Sequence, residues 1–350
     1  MTNYFREISD PVDEVVTNGQ FNFGTRSTPV KKANLLDAEK PFRTPFVNSF
    51  KNYRLKEWQA FQFGNEQYFM MVAIYNAKAL ALAQFILFDI EKNKKYHYER
   101  KVMPWNLKVA KSLYGTESHY ISDDFTILVE NDLQSGRVGI DIRIEKQKNL
   151  PHVMGQFMGF HETGKATPLV TIMPFGQNRG MYSHKCLMPM EGGLDIGGKL
   201  LEFEESKSYM LMDDHKGYYP YPMKYDWVTA GYISDGKHIG FNLTDNQVLQ
   251  KERFNENVLW VNGEMNLLPP VKFERENGVD GKWLIKDRFD LVNLEFEPVI
   301  SNRIKLNLLL LRSNYYGPYG FFNGFIYDKN HNKIEIKNVF GMGEKFFLSA

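Results

Sequence analysis

Residues 230–243 read AGYISDGKHIGFNL, and the pair Asp235-Gly236 at the centre decides the fold class. Asp followed by Gly accepts positive φ at both positions, as a two-residue hairpin turn requires when its twist must match that of the flanking strands. Beyond the pair, Ile239, Phe241 and Leu243 occupy alternate positions, the period of a half-buried strand. Residues 257–268, NVLWVNGEMNLL, repeat the arrangement around Asn262-Gly263, and Gly64-Asn65 stands between EWQAFQF and EQYFMMVAI. Further out, short runs of β-branched and aromatic residues recur, bounded by Gly, Asn and Asp. After FFNGFI, residues 327–333 (YDKNHNK) read as a longer loop, with Ile334 and Ile336 alternating beyond it. Helical periodicity is scarce and no fixed-period repeat exists, so the chain is expected to be all-β, a sandwich or barrel rather than a solenoid or propeller.

A length of 350 residues suits two domains of roughly 150 residues each. The densest cluster of Gly, Pro and aromatics, GYYPYP at 217–222, places the boundary, giving halves 1–220 and 221–350. The first fifty residues hold few apolar runs and are expected to wrap the outside of the first sheet. With 43% hydrophobic and 24% charged residues the chain can bury a core, which excludes intrinsic disorder. Forty-three Lys and Arg balance forty-two Asp and Glu, leaving no global field to draw nucleic acid or an anionic membrane. The single cysteine, Cys186, excludes an intramolecular disulfide and a thiolate metal cluster. Charged residues from Arg6 to Glu14 interrupt any apolar export signal, so a cytoplasmic location is expected.

Residues 68–90, YFMMVAIYNAKALALAQFILFDI, are long enough to span a bilayer, but Asn76, Lys78 and Gln84 interrupt them. A Lys near the middle of a span costs roughly 2.5 to 3.5 kcal/mol. Two strands turning at Asn76 to Lys78 avoid that cost, so no transmembrane segment is expected.

The familiar chemical signatures are missing: there is no GxSxG elbow, phosphate loop, dinucleotide fingerprint, HExxH pair or EF-hand loop. Gly341-Met342-Gly343-Glu344 lacks the strand-to-helix context of a nucleotide loop and reads as a turn. Neither metal nor cofactor is expected. The densest polar constellation runs from Asp213, Asp214, His215 and Lys216 through Tyr218, Tyr219 and Tyr225 to Trp227. In a strand only one of Asp213 and Asp214 can face an interior, and His215 shares the face of Asp213. A carboxyl among aromatics is disfavoured as an anion and can persist as a proton donor, whereas two aspartates can equally cap a turn. A second set, Asn242, Asp245 and Asn246 with Asn255, Glu256, Asn257 and Trp260, could orient a ligand or cap loops. His161 and the run Ser183-His184-Lys185 lie at strand ends and read mainly as structural; Ser183 as a nucleophile would need a base from another segment. The aromatic loops GYYPY and NYYGPYGFFNG suit a pocket rim or simple packing.

Several runs resemble one known family: GTRSTPVKKANL, LMDDHKGYYPY, YDWVTAGY, IGFNLTDNQ, NENVLWVNGEMNLLPPVKFER, NYYGPYGFFNGF and FGMGEKF. Together they look like the bacterial family called domain of unknown function 2804. More distantly, Gly192-Gly193-Leu194, the Asp214-His215 pair, Trp227 and the Gly236 hairpin are similar to the tandem lipocalin-like proteins that include carotenoid hydratases, kievitone hydratase and tocopherol cyclase. That resemblance implies two lipocalin-like halves, with an Asp-His motif in a cavity between the barrels that protonates an alkene without metal or cofactor. It implicates Asp214 and His215 as catalytic and, more loosely, Asn242 and Asp245; Tyr218, Tyr219, Trp227, Asn257 and Trp260 join them as candidate contacts to a small-molecule substrate. Gly217 replaces an aromatic that commonly follows the pair, and Asn242 stands where an acid would be expected. Three readings follow: a cofactor-independent hydratase, isomerase or cyclase acting on a largely apolar molecule; a binding protein for a lipid or isoprenoid-like ligand; and a glycan-handling protein.

Overall fold

The computed structural model describes residues 4–43, 47–307 and 312–349. Its strands form two large sheets, and every strand pair within them is antiparallel. The first runs in space from Lys94–Val102 through Ala81–Asp89, Tyr68–Asn76 and Lys56–Gly64 to Tyr209–Gly217 and Arg179–Ile196, then through Val153–Phe160, Arg137–Ile144 and Phe125–Asp132 to Tyr114–Ile121. The second runs from Glu264–Leu267 through Val258–Val261, Lys237–Asp245, Met223–Ser234, Lys333–Ser349, Tyr319–Tyr327, Val292–Ile300 and Trp283–Asp287 to Val271–Glu274. Each sheet curls into a half-barrel around its own apolar core. Sheet membership changes between Gly217 and Met223.

Two of the three turn pairs behave as their residues dictate; Gly64 instead stays inside Lys56–Gly64, paired with Phe69, and the turn there falls on residues 65–67. Asp235 and Gly236 take φ of 50° and 70° between Met223–Ser234 and Lys237–Asp245, and Asn262 and Gly263 take 49° and 83° between the next two strands. Residues 68–90 form the hairpin of Tyr68–Asn76 with Ala81–Asp89, and Lys78 turns the chain at φ 68°. Among the described residues no helix is long and apolar enough to cross a membrane. Gly24–Arg26 joins the edge of the first sheet beside Leu169–Gly176, while Val15, Val30 and Leu35 pack against Val170 and Tyr182, on the face that also carries Lys216, Cys186 and Met188, so the N-terminal segment covers the inner face of the sheet at that end and does not wrap its outside.

Three local expectations are corrected. Asp213 and Asp214 do not cap a turn, because Tyr209–Gly217 continues through them, paired on both edges. His184 does not start a strand; it lies inside the eighteen-residue Arg179–Ile196. Gly341-Met342-Gly343-Glu344 is not a turn but the interior of Lys333–Ser349. The glycine there serves a close approach: a Cβ on Gly341 would stand 2.4 Å from the Thr229 carbonyl oxygen.

Candidate active site

All nine residues of Tyr209–Gly217 are buried, although the segment carries three charged groups and a histidine. The strand is covered on both faces, and its pleat divides the polar side chains between two environments. Asp214 and Lys216 turn inward with Met210 and Met212, toward the interior of the first half-barrel. Asp213 and His215 turn toward the second sheet. Across the edges, Asp213 stands opposite Lys185 and Ala60, and His215 opposite Ser183 and Trp58, so two neighbouring strands add side chains to the same face.

The second sheet completes the cluster through Glu256, which arrives on the segment before Val258–Val261 and is 2% exposed. Lys185 Nζ donates to Asp213 Oδ1 at 2.7 Å and lies 3.7 Å from Glu256 Oε1. His215 Nε2 stands 2.9 Å from Asp213 Oδ1, 3.0 Å from Glu256 Oε1 and 3.0 Å from Ser183 Oγ, while Ser183 Oγ donates to Glu256 Oε1 at 2.7 Å. The other ring nitrogen, Nδ1, is 3.2 Å from the Tyr219 hydroxyl, and the ring stacks on Trp58 at 4.4 Å. Burial alone would raise the Asp213 carboxyl, but Lys185 and His215 pull it well below the usual range. Glu256 follows the same logic. Burial works against an imidazolium at His215, and the two carboxylates outweigh it, raising its pKa.

Beside this cluster lies a cavity of about 400 Å³ between the sheets. Trp58, Met71, Ala73 and Tyr75 wall it from the first sheet, and Trp227, Met342 and Phe346 from the second; Asp213, His215 and Glu256 reach it together with Glu344. Glu344 is a different kind of carboxyl. Its oxygens accept hydrogen bonds from the Tyr315 and Tyr225 hydroxyls, both at 2.8 Å. Burial nevertheless dominates and raises its pKa, with Asp213 adding to the rise. One cavity thus holds a carboxyl kept ionised and another biased toward the neutral acid, the division of labour that acid–base catalysis uses.

Of the residues proposed from the sequence as catalytic or substrate-binding, His215, Tyr219 and Trp227 line the cavity, and Asp213, Lys185, Tyr225, Asn246 and Glu256, singled out beside them, line it as well. Asp214 does not: it faces the barrel interior, where Lys216 Nζ donates to its two oxygens at 2.9 and 3.0 Å, so Asp213 takes the place expected for it. Tyr218 donates to the Leu35 carbonyl under the N-terminal segment. Asn242 braces the wall, accepting from Trp227 Nε1 at 2.6 Å and donating to the Glu256 carbonyl at 2.8 Å. Asp245 is taken up by Lys251. Asn257 ties Thr244 N to the Pro269 carbonyl, and Trp260 Nε1 donates to Thr167 O across the junction. His161 and His184 face each other at 3.1 Å through their Nε2 atoms, away from the cavity lining; burial lowers His161 to about 4, and burial with His161 and Lys216 nearby holds His184 well below the ordinary histidine range. Ser183 lies beneath His215 and does not reach the cavity surface.

Sequence reasoning missed Lys185, Glu256 and Glu344 as partners in one site. For Glu344 a signal existed: Met342, Glu344, Phe346 and Leu348 alternate, which is strand patterning. Among the described residues no group of three or more His, Cys, Asp and Glu side chains is placed to hold a metal ion.

The fold is shared with solved proteins. Kievitone hydratase from Nectria haematococca superposes with a TM-score of 0.50 at 12% identity, covering 84% of this chain and 89% of that one. A structure from Nitrosomonas europaea assigned as an AttH gives 0.47 at 11% identity, covering 87% and 96%. No curated protein matches in sequence. The first of these likenesses shows the architecture, the tandem lipocalin-like arrangement of two half-barrels. In sequence, residues 5–347 match the family described as Domain of unknown function (DUF2804), and the chain belongs to that family.

Proposed function

We propose that the protein is a cofactor-independent acid–base enzyme of the hydratase, isomerase or cyclase class, acting on a largely apolar, unsaturated small molecule held between the sheets. The observation that carries this reading is the pair of unlike carboxyls on one apolar cavity: Asp213, fixed as an anion by Lys185 and His215, and Glu344, kept toward its neutral form by burial. Glu344 donates its proton to a carbon of the double bond. The carbocation so formed is stabilised by the Asp213 carboxylate and by the faces of Trp58, Tyr75 and Trp227. Water then adds and gives up a proton to Glu344, or a neighbouring C–H gives one up directly, so the carboxyl is restored in either case. Lys185, Ser183 and Glu256 position His215 and Asp213 without touching the substrate's reacting atoms.

The test is solvent exchange. A panel of unsaturated isoprenoid and fatty compounds is incubated with the protein in D2O, and deuterium on carbon is read by mass spectrometry. Glu344→Gln and Asp213→Asn are each expected to lower incorporation by about 10² to 10⁴. Activity should fall as pH rises through the elevated pKa of Glu344, because the acid must carry its proton. One observation favours the second reading, a binding protein: each charged group of the cluster already has an internal partner. Tight binding of panel members with no deuterium in any of them would replace the catalytic reading with that one.

A further inference from the structure

The mouth of the cavity differs in charge from its floor. Exposed Tyr53 and Leu80 stand at the opening, and Arg54 and Lys56 line the wall below them. Of the other lysines nearby, Lys78 is paired with Glu57 and Lys101 with Glu99 at 2.9 Å, while Lys224, which also lines the cavity, lies over the Phe347 ring. Arg54 and Lys56 have no such partner, and neither have Arg43 and Arg179 beside them; among the described residues no carboxylate lies within salt-bridge distance of these four cations. Lys56 Nζ donates only to the carbonyls of Ala77 and Tyr53, and Arg54 lies over the Phe42 ring. Arg179, which donates to the carbonyl of the cavity residue Phe175, leaves its Nε buried without an acceptor.

Four cations gathered without a counter-ion repel one another. Burial and the neighbouring Arg54 and Lys78 bring the Lys56 ammonium down to about 8, and burial with Arg54 and Arg43 lowers Arg179. An anion at the mouth would relieve both effects. The floor lies within reach of such a molecule. Lys56 and Ala60 point the same way along Lys56–Gly64, and Ala60 is opposite Asp213. Four residues of strand span about 13 Å, the distance from mouth to acid cluster.

We propose that the cavity takes an amphipathic anion: its carboxylate or phosphate headgroup rests on Arg54 and Lys56, its apolar body lies between the sheets, and its far end meets Asp213 and Glu344. The identity of the reacting end rests on the catalytic reading above; the headgroup site does not. Decanoate, decyl phosphate and 1-decanol are the probes, titrated into the full chain by calorimetry and tryptophan fluorescence. Both anions are expected to bind at least 10-fold more tightly than the alcohol at low ionic strength, and the margin should shrink as salt is added. The tighter of the two identifies the headgroup. In the double variant Arg54→Gln/Lys56→Gln the anion preference should vanish while decanol binding stays unchanged, which also shows that the variant is folded. Equal binding of decanol by the wild type, or a preference that survives in the double variant, overturns the inference. Glu344→Gln separates the two claims. It should retain the anion preference while losing deuterium exchange; a preference with no exchange in any protein overturns catalysis alone, and exchange without a preference overturns the headgroup site alone.

Discussion

Asp213 and Asp214 are adjacent in the chain and have opposite surroundings because the pleat sends them to opposite faces. Asp214 and Lys216 form an ion pair with side chains 1% and 2% exposed. Burial raises the Asp214 carboxyl even with Lys216 beside it, so the pair sits in a strongly desolvated place. Removing one member leaves the other charge buried and alone, which typically costs more than the intact pair contributes. Asp214→Asn is therefore expected to lose about 3 kcal/mol in urea unfolding. Adding Lys216→Met should recover most of the loss, and binding of decanoate should persist throughout. Near-normal stability of Asp214→Asn combined with lost deuterium exchange would instead restore Asp214 as the acid. Part of this was legible: residues two apart in a strand share a face, so Asp214 and Lys216 announce a local ion pair, and Asp213 is left for His215. The partners of Asp213 were not legible, since Lys185 comes from 28 residues earlier and Glu256 from the other sheet.

Turns were the most readable elements, because a two-residue hairpin depends on the φ preferences of its own residues. Their energetic weight is less local. Gly236 stands in open space, with nothing within 4 Å of a hypothetical Cβ, whereas at Gly263 that Cβ would lie 2.7 Å from the Lys165 carbonyl oxygen. Gly236→Ala should lose about 1 kcal/mol through left-handed strain alone. Gly263→Ala carries the same strain plus a clash with backbone of the first half, and should lose about 2 to 3 kcal/mol. Denaturant melts of the two variants check the difference; equal losses would mean that the Gly164–Lys165 loop yields at no cost. Long strands were less readable than turns. Arg179–Ile196 and Lys333–Ser349 are buried on both faces over part of their length, so Ser183-His184-Lys185 and Gly341 to Glu344 show no clean polar side, and their polar residues resembled strand ends or a turn. What misled there was burial on both faces: the polar groups interrupt the apolar pattern inside a covered strand without marking its end.

At the scale of the molecule, the two half-barrels are joined by the same charges that form the site. Buried Arg6, at the start of the chain, donates to the Asn255 and Asn257 carbonyls at 2.7 and 2.9 Å, holding in place the segment that delivers Glu256 to the first sheet. With His215 protonated, Lys185 and His215 balance Asp213 and Glu256, two cations against two anions. Glu256→Gln keeps the shape and removes one anion, leaving an excess buried positive charge that the protein can discharge only by deprotonating His215. The sign of the consequence follows from linkage. In the wild type the His215 pKa is raised, so this group contributes stability fully present below the ordinary histidine value of 6.5 and lost as pH rises through its elevated folded value. In the variant that contribution is removed, and burial with Lys185 nearby turns it into a penalty that grows as pH falls. The gap in unfolding free energy should therefore be about 3 kcal/mol near pH 5 and clearly smaller near pH 8. The imidazole of His215, followed by NMR, should titrate at lower pH in the variant. A loss of equal size at both pH values, with the His215 titration unmoved, would mean that Glu256 contributes hydrogen bonds and packing but does not hold the proton on His215, and that the charges of the two sheets are not coupled.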